Sequence, residues 1–265
     1  MIDTAPEAVV AALRAAGCVF AEDEAALLLE AASSPAELDA LVAQRISGIP
    51  LEHVLGWAEF RGLRVAVTPG VFVPRQRTGF LVELAVEFGR GDHSRVVLDM
   101  CCGCGALGLA VATELARNGI RVELAASDIE PAAVACARRN LEPLGARVYA
   151  GDLFAALPAN LAGRVNVLLA NTPYVPTAAI ADMPPEARDH EPRTALDGGG
   201  DGLDLVRRVA AGAPAWLAPG GLLLVESSAA QASAVAEVFA RHGLSPVIAE
   251  SEELYATVVT GRRAD

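Results

Sequence analysis

The sequence predicts a doubly wound α/β fold, a mostly parallel sheet of seven strands with helices on both faces, preceded by a small helical domain. Three observations carry this. From about residue 95, short apolar runs alternate with stretches of helical period. The first apolar run, Val96-Val97-Leu98-Asp99-Met100, leads into a loop of small residues, Cys101-Cys102-Gly103-Cys104-Gly105. The last two runs are joined by a short link, as in a closing antiparallel pair.

Residues 1–50 read as a helical module. Apolar residues recur at helical spacing through Val9, Val10 and Leu13 and again through Ala26 to Leu29. Ser34 before Pro35 is a cap for a helix that ends near Ile46-Ser47-Gly48. Such a module either packs as an appendage or docks a substrate. Residues 51–74 form a linker in which Glu59 to Val67, punctuated by Gly62, suggests a hairpin, and Thr68-Pro69-Gly70 turns the chain. A helix follows Pro74-Arg75 through Phe80, Leu81, Leu84 and Val86. Residues 75–265 make up the main domain. Its strands are predicted at 95–99, 121–127, 147–150, 165–170, 221–226, 246–250 and 255–261, and its helices at 106–117, 131–140, 203–217 and 229–242. Gly243 stops the last helix.

The chain has 265 residues, enough for one large domain and a small one. It is 53% hydrophobic, with no apolar stretch long enough to span a bilayer and no secretory signal pattern. No membrane partner is expected. Five cysteines, three of them within 101–104, do not form a disulfide framework, and a reducing cytoplasm is the expected location. The formal charge is −12. All 21 basic residues are arginine. That balance argues against nucleic acid as the direct substrate, because phosphate binding needs a basic surface.

The small-residue loop lets backbone approach a ligand, and the helix starting near Ala106 offers free amides. Asp128, 23 residues past Gly105, ends the next strand, where its carboxylate can accept from two ribose hydroxyls. Ile129 follows it and counts with the same site. Without lysine or a Walker pattern, phosphate is not implied, although the geometry also serves a nicotinamide dinucleotide. Asp99 favours a ligand with a positive end, such as S-adenosylmethionine, which carries an ammonium, a sulfonium and a ribose diol. The structural alternative is that Asp99 orders the turn and Asp128 caps the helix opening at Pro131. Asp152 in Gly151-Asp152-Leu153-Phe154 can accept from an adenine amino group, with Leu153 against the ring, or cap a turn. Cys101, Cys102 and Cys104 lack a second knuckle, so no metal is expected and they count as small loop residues.

After the fourth strand of the main domain comes Asn171-Thr172-Pro173-Tyr174. With Asp99 to Gly105, Asp128 and 151–154, it resembles the class I S-adenosylmethionine-dependent methyltransferases that act on amino groups. Further stretches narrow the resemblance: Gly48 to Gly56, Glu59 to Leu63, Val67 to Arg75, Glu191 to Gly199 and Asp201-Gly202-Leu203. Together they resemble the protein-(glutamine-N5) methyltransferases that modify peptide release factors, over residues 35–263. The resemblance implies a Rossmann-like methyltransferase sheet, S-adenosylmethionine as donor, and a release factor glutamine as acceptor. It also implies that the Asn171 side-chain oxygen and the Thr172 carbonyl accept the two amide N–H groups, while Tyr174 stacks on the planar amide. Binding and positioning then do the catalysis, since His53, His93, His190 and His242 fall outside the motifs. The chain departs from the family pattern at Thr172 (usually Pro), Cys101 (usually Gly), Arg77 and Gly79 (usually acidic) and Ser228 (usually Gly). Other readings are amino methylation of another protein, a small molecule or adenine, and a donor-binding scaffold without activity.

Overall fold

The computed structural model describes residues 5–91 and 93–265. Helices α1 (Pro6–Ala15), α2 (Ala21–Ala31) and α3 (Pro35–Ile46) pack around their own apolar core of Val9, Leu13, Leu28, Leu38 and Val42. The Ser34 hydroxyl accepts from the Glu37 N–H, capping α3 as its position before Pro35 predicts. Inside this module Glu24 and Arg45 form a buried ion pair at 2.6 Å. Arg45 also reaches Glu186, far along the chain, at 2.7 Å.

A short helix α4 (Leu51–Leu55) then leads into a two-stranded antiparallel hairpin, β1 (Trp57–Phe60) and β2 (Leu63–Ala66). The sequence reading anticipates the hairpin and not α4, whose single turn is too short to show a period. The His53 Nε2–H donates to the Val71 carbonyl at 2.9 Å and ties α4 to the segment entering the main sheet.

Helix α5 (Gly79–Gly89) precedes the alternating part: β3 (Ser94–Met100), α6 (Ala106–Arg117), β4 (Arg121–Asp128), α7 (Pro131–Leu141), β5 (Arg147–Ala150) and β6 (Val165–Ala170). Then come a short α8 (Pro185–His190), α9 (Asp204–Trp216), β7 (Leu217–Ser227), α10 (Ala232–Arg241), β8 (Leu244–Ser251) and β9 (Ala256–Arg263). The seven-stranded sheet runs β5-β4-β3-β6-β7-β9-β8, parallel except for β9, which is antiparallel to both its neighbours. All seven strands and four main-domain helices appear where the sequence places them, with ends shifted by a few residues; β7 starts four residues early, at Leu217. Helix α8 is an addition, in a Pro-rich stretch without an apolar period.

Both faces of the sheet are covered, and alternate residues serve different cores. Val97, Val167 and Leu169 pack under α5, α6 and α7, whereas Leu98, Met100, Leu168 and Ala170 pack under α9 and α10. The chain winds outward from β3 through β4 to β5, then returns to build β6 and β7 on the other side of β3. That reversal opens a crevice beyond the carboxyl ends of β3 and β6.

Candidate active site

The strand register assembles the site. Met100 pairs with Ala170 on one side and Ser127 on the other, so Cys101 leaves the sheet between Asn171 and Asp128. Asp128 in turn pairs with Ala150, which brings Gly151 and Asp152 alongside. One cavity at this edge is lined by Cys101, Cys102, Gly103, Cys104, Asp128, Ile129, Asp152, Leu153 and all four residues of Asn171 to Tyr174. Asp99 and Gly105 are not in its wall. Asp99 is buried behind the loop, its Oδ2 accepting from the Gly108 N–H at 2.8 Å, and Gly105 takes the left-handed position before α6 at φ 80°.

Asp128 sits with Oδ2 2.9 Å from the Gly103 N–H and Oδ1 2.9 Å from the Glu130 N–H. It therefore clamps the loop, and each oxygen keeps a further lone pair for a ligand. Burial raises its pKa, against the lowering effect of those amides. Asp99 is raised to about 7 by burial, with the Gly108 amide lowering it and the Asp128 charge adding to the rise. Ile129 is 60% exposed, an apolar shelf beside the carboxylate. Asp152 is half exposed and ion-paired with Arg208 at 2.6 Å.

Two non-glycine residues of the cavity wall hold positive φ, Cys101 at 55° and Leu153 at 45°. The first explains why glycine is usual at that loop position; a side chain there costs about 1–2 kcal/mol. Burial pushes the thiols up, Cys104 to about 12, so they are neutral small side chains at neutral pH. Among the described residues, no group of three or more His, Cys, Asp or Glu is placed to hold a metal ion.

The other end of the cavity is built from the Asn171 to Tyr174 loop, held by a glycine-rich segment. Gly198 N–H donates to the Val175 carbonyl at 2.8 Å, and Val175 N–H to the Leu196 carbonyl at 3.1 Å. A Cβ on Gly198 would lie 2.7 Å from the Pro173 carbonyl oxygen, and one on Gly202 would collide with that of Tyr174. The Gln231 side chain donates to the Tyr174 carbonyl at 3.0 Å. Among the described residues nothing donates to the Asn171 side-chain oxygen or the Thr172 carbonyl, so both acceptors are free. The Thr172 hydroxyl, present where proline is usual, is buried and unpartnered.

Tyr174 is set in a ring of three side chains. Its hydroxyl donates to Glu226 Oε1 at 3.2 Å and accepts from Arg77 Nη2 at 2.6 Å, while Arg77 Nε donates to the same Glu226 oxygen at 3.1 Å. Burial raises the Tyr174 phenol to about 12, so it stays protonated. Arg77, one of the departures from the family pattern, thus has a partner set of its own. Gly79 packs beside Arg61, whose guanidinium is held by Glu83 and Glu114.

The sequence reading does not assign Phe72, Arg75, Thr78, Glu191 or Leu196 to the site, yet all line the cavity. Glu191 Oε1 accepts from the Val73 N–H at 3.1 Å and from Arg75 at 2.7 Å, and Arg75 lies 5.0 Å over the Phe72 ring. For all but Thr78 the signal is the pair of motif stretches, Val67 to Arg75 and Glu191 to Gly199, which only the fold brings together.

A family model described as "Methyltransferase small domain" matches residues 62–200. The chain is 41% identical to the release factor glutamine methyltransferase of Geobacter sulfurreducens over 79% of this chain and 72% of that one. The chain belongs to the release factor glutamine methyltransferase family. A more divergent relative, at 34% identity over 76% of this chain and 69% of the other, is a 4-amino-L-phenylalanine/4-methylamino-L-phenylalanine methyltransferase from Streptomyces pristinaespiralis. Among solved structures, a methyltransferase from Pyrococcus furiosus superposes with a TM-score of 0.56 at 16% identity, covering 77% of this chain and 91% of that one, which shows the shared fold.

Proposed function

We infer that this chain transfers a methyl group from S-adenosylmethionine to the side-chain amide nitrogen of a glutamine in a peptide chain release factor, and does so in the cytoplasm. The observation that carries this is the pair of free acceptors, Asn171 Oδ1 and the Thr172 carbonyl, on a loop beside the Asp128 clamp. Among the described residues no helix is long and apolar enough to cross a membrane.

The residues of the cavity fit the donor. Asp128 keeps lone pairs for a diol, Ile129 and Leu153 offer apolar surface for a flat ring, and the Asp128 and Asp152 carboxylates in the wall supply the negative field a cation needs. When bound, the donor supplies an electrophilic methyl on a positively charged sulfur. The protein's own part is at the acceptor. A carboxamide nitrogen is a weak nucleophile because its lone pair is shared with the carbonyl. Asn171 Oδ1 and the Thr172 carbonyl take one N–H each, fixing the nitrogen's direction and favouring the positive charge that develops on it. The neutral Tyr174 phenol, anchored by Arg77 and Glu226, gives a fixed flat wall against which the amide stacks and from which water is excluded.

The test is transfer of labelled methyl to a purified bacterial release factor, with mass spectrometry locating the modified residue. Label on a glutamine nitrogen supports the reading. Label on an amino acid, on nucleic acid or on no fraction of a cell extract overturns it.

A further inference from the structure

A second cavity lies behind the acceptor site and shares two of its wall residues, Arg77 and Tyr174. It is a groove between the end of β7 and the turn joining β8 to β9, on the same carboxyl edge of the sheet. Three carboxylates line it: Glu226 at β7, Glu250 at the end of β8, and Glu252 in the turn. Arg77 is its single cation, and that charge is already engaged by Glu226 at 3.1 Å. Glu250 and Glu252 are exposed and have no arginine partner among the described residues. Glu226 is 3% exposed, with Oε1 taken by Arg77 and Tyr174, whereas its Oε2 is buried with no hydrogen-bond partner. Tyr255, 91% exposed at positive φ, completes the groove beside these acids.

We propose that this groove is a subsite for the stretch of acceptor protein next to the methylated glutamine, and that it selects a basic side chain there. The proposal rests on the glutamine reading above, and four points of chemistry lead to it. The groove starts at Tyr174, so a chain whose amide occupies the acceptor end must leave along one of the two cavities that tyrosine divides. Unbalanced carboxylates attract a cation and repel phosphate, which turns nucleic acid away. They do not come together in a set that could hold a metal ion among the described residues, so an organic cation on a flexible stem is the better occupant. A guanidinium carries five N–H donors, enough to meet separate carboxylates at once, and the exposed Tyr255 face can stack on it.

The test uses short synthetic peptides with a central glutamine. One set carries arginines on both sides of the glutamine, the other glutamates at the same places. Binding to the whole protein is measured by calorimetry with S-adenosylhomocysteine present. The arginine peptides should bind about three- to tenfold tighter, the scale of two partly exposed charge pairs, and salt should erode the difference. The double variant Glu250→Gln with Glu252→Gln should lose the preference while donor affinity stays unchanged. Equal binding of both sets, binding of neither, preference for glutamate, or a preference that survives in the double variant overturns the subsite. Methylation of the peptides is scored separately. Charge-selective binding without methyl transfer upholds the groove and counts against the glutamine reading, whereas transfer without charge selection does the reverse.

Discussion

Replacing Asp99 by asparagine should stabilise the protein at alkaline pH and flatten its pH dependence. The buried Asp99 carboxyl titrates near 7 in the fold, against an ordinary 3.8. The folded state therefore holds this proton more tightly than the unfolded chain does. Stability is fully present below about pH 4 and falls as pH rises towards about 7, where the folded carboxyl finally ionises. The gap spans about three pH units at about 1.4 kcal/mol each, so the ionised group costs the fold about 4 kcal/mol at pH 8. An asparagine oxygen can still accept from the Gly108 N–H, now 2.8 Å from Asp99 Oδ2. Its amide NH2 has no obvious acceptor there, which returns about 1–3 kcal/mol of the gain. The net expectation at pH 8 is a gain of about 1–3 kcal/mol, and the surer signature is the slope. Urea unfolding followed by fluorescence of Trp57 and Trp216, at several pH values from 5 to 8, measures it. The variant's advantage should widen by about 3 kcal/mol across that range. A constant difference, or one that shrinks, would refute the assignment of the titration to Asp99.

Four further outcomes follow from the site. Asn171→Ala should lower turnover about 10²–10³-fold with donor affinity nearly kept, as steady-state kinetics and calorimetry would show; full activity would remove Asn171 from the acceptor role. Asp128→Ala should weaken donor binding by about 1.5–3 kcal/mol, the range for a hydrogen bond to a charged group, with unchanged calorimetric affinity as the contrary result. Thr172→Val keeps shape and removes a buried, unpartnered hydroxyl, so it should raise stability by about 1 kcal/mol in denaturant unfolding. Gly198→Ala would press a methyl to 2.6 Å from the Gly202 carbonyl oxygen and 2.7 Å from that of Pro173, costing about 1–3 kcal/mol and most of the activity; an active, equally stable variant would mean that the loop can yield.

The amino-acid order alone determined the alternation of strands and helices, since burying a sheet on both faces demands long apolar runs separated by helical stripes. It also marked Asp128 and Asn171, because strand ends followed by small or turn-forming residues are visible as a break in pattern. The helix Leu51–Leu55 and the helix Pro185–His190 were not visible, being too short to show a period. What Asp99 does was open in the sequence between facing a ligand and ordering the turn; its hydrogen bond to Gly108 and its burial come from the packing of α6 on β3. The Arg77–Glu226–Tyr174 ring joins positions 149 residues apart at its widest, and Glu191 reaches back 118 residues to the Val73 amide. No local pattern encodes such contacts, because they depend on where the sheet reverses direction and which loops that reversal brings to one edge.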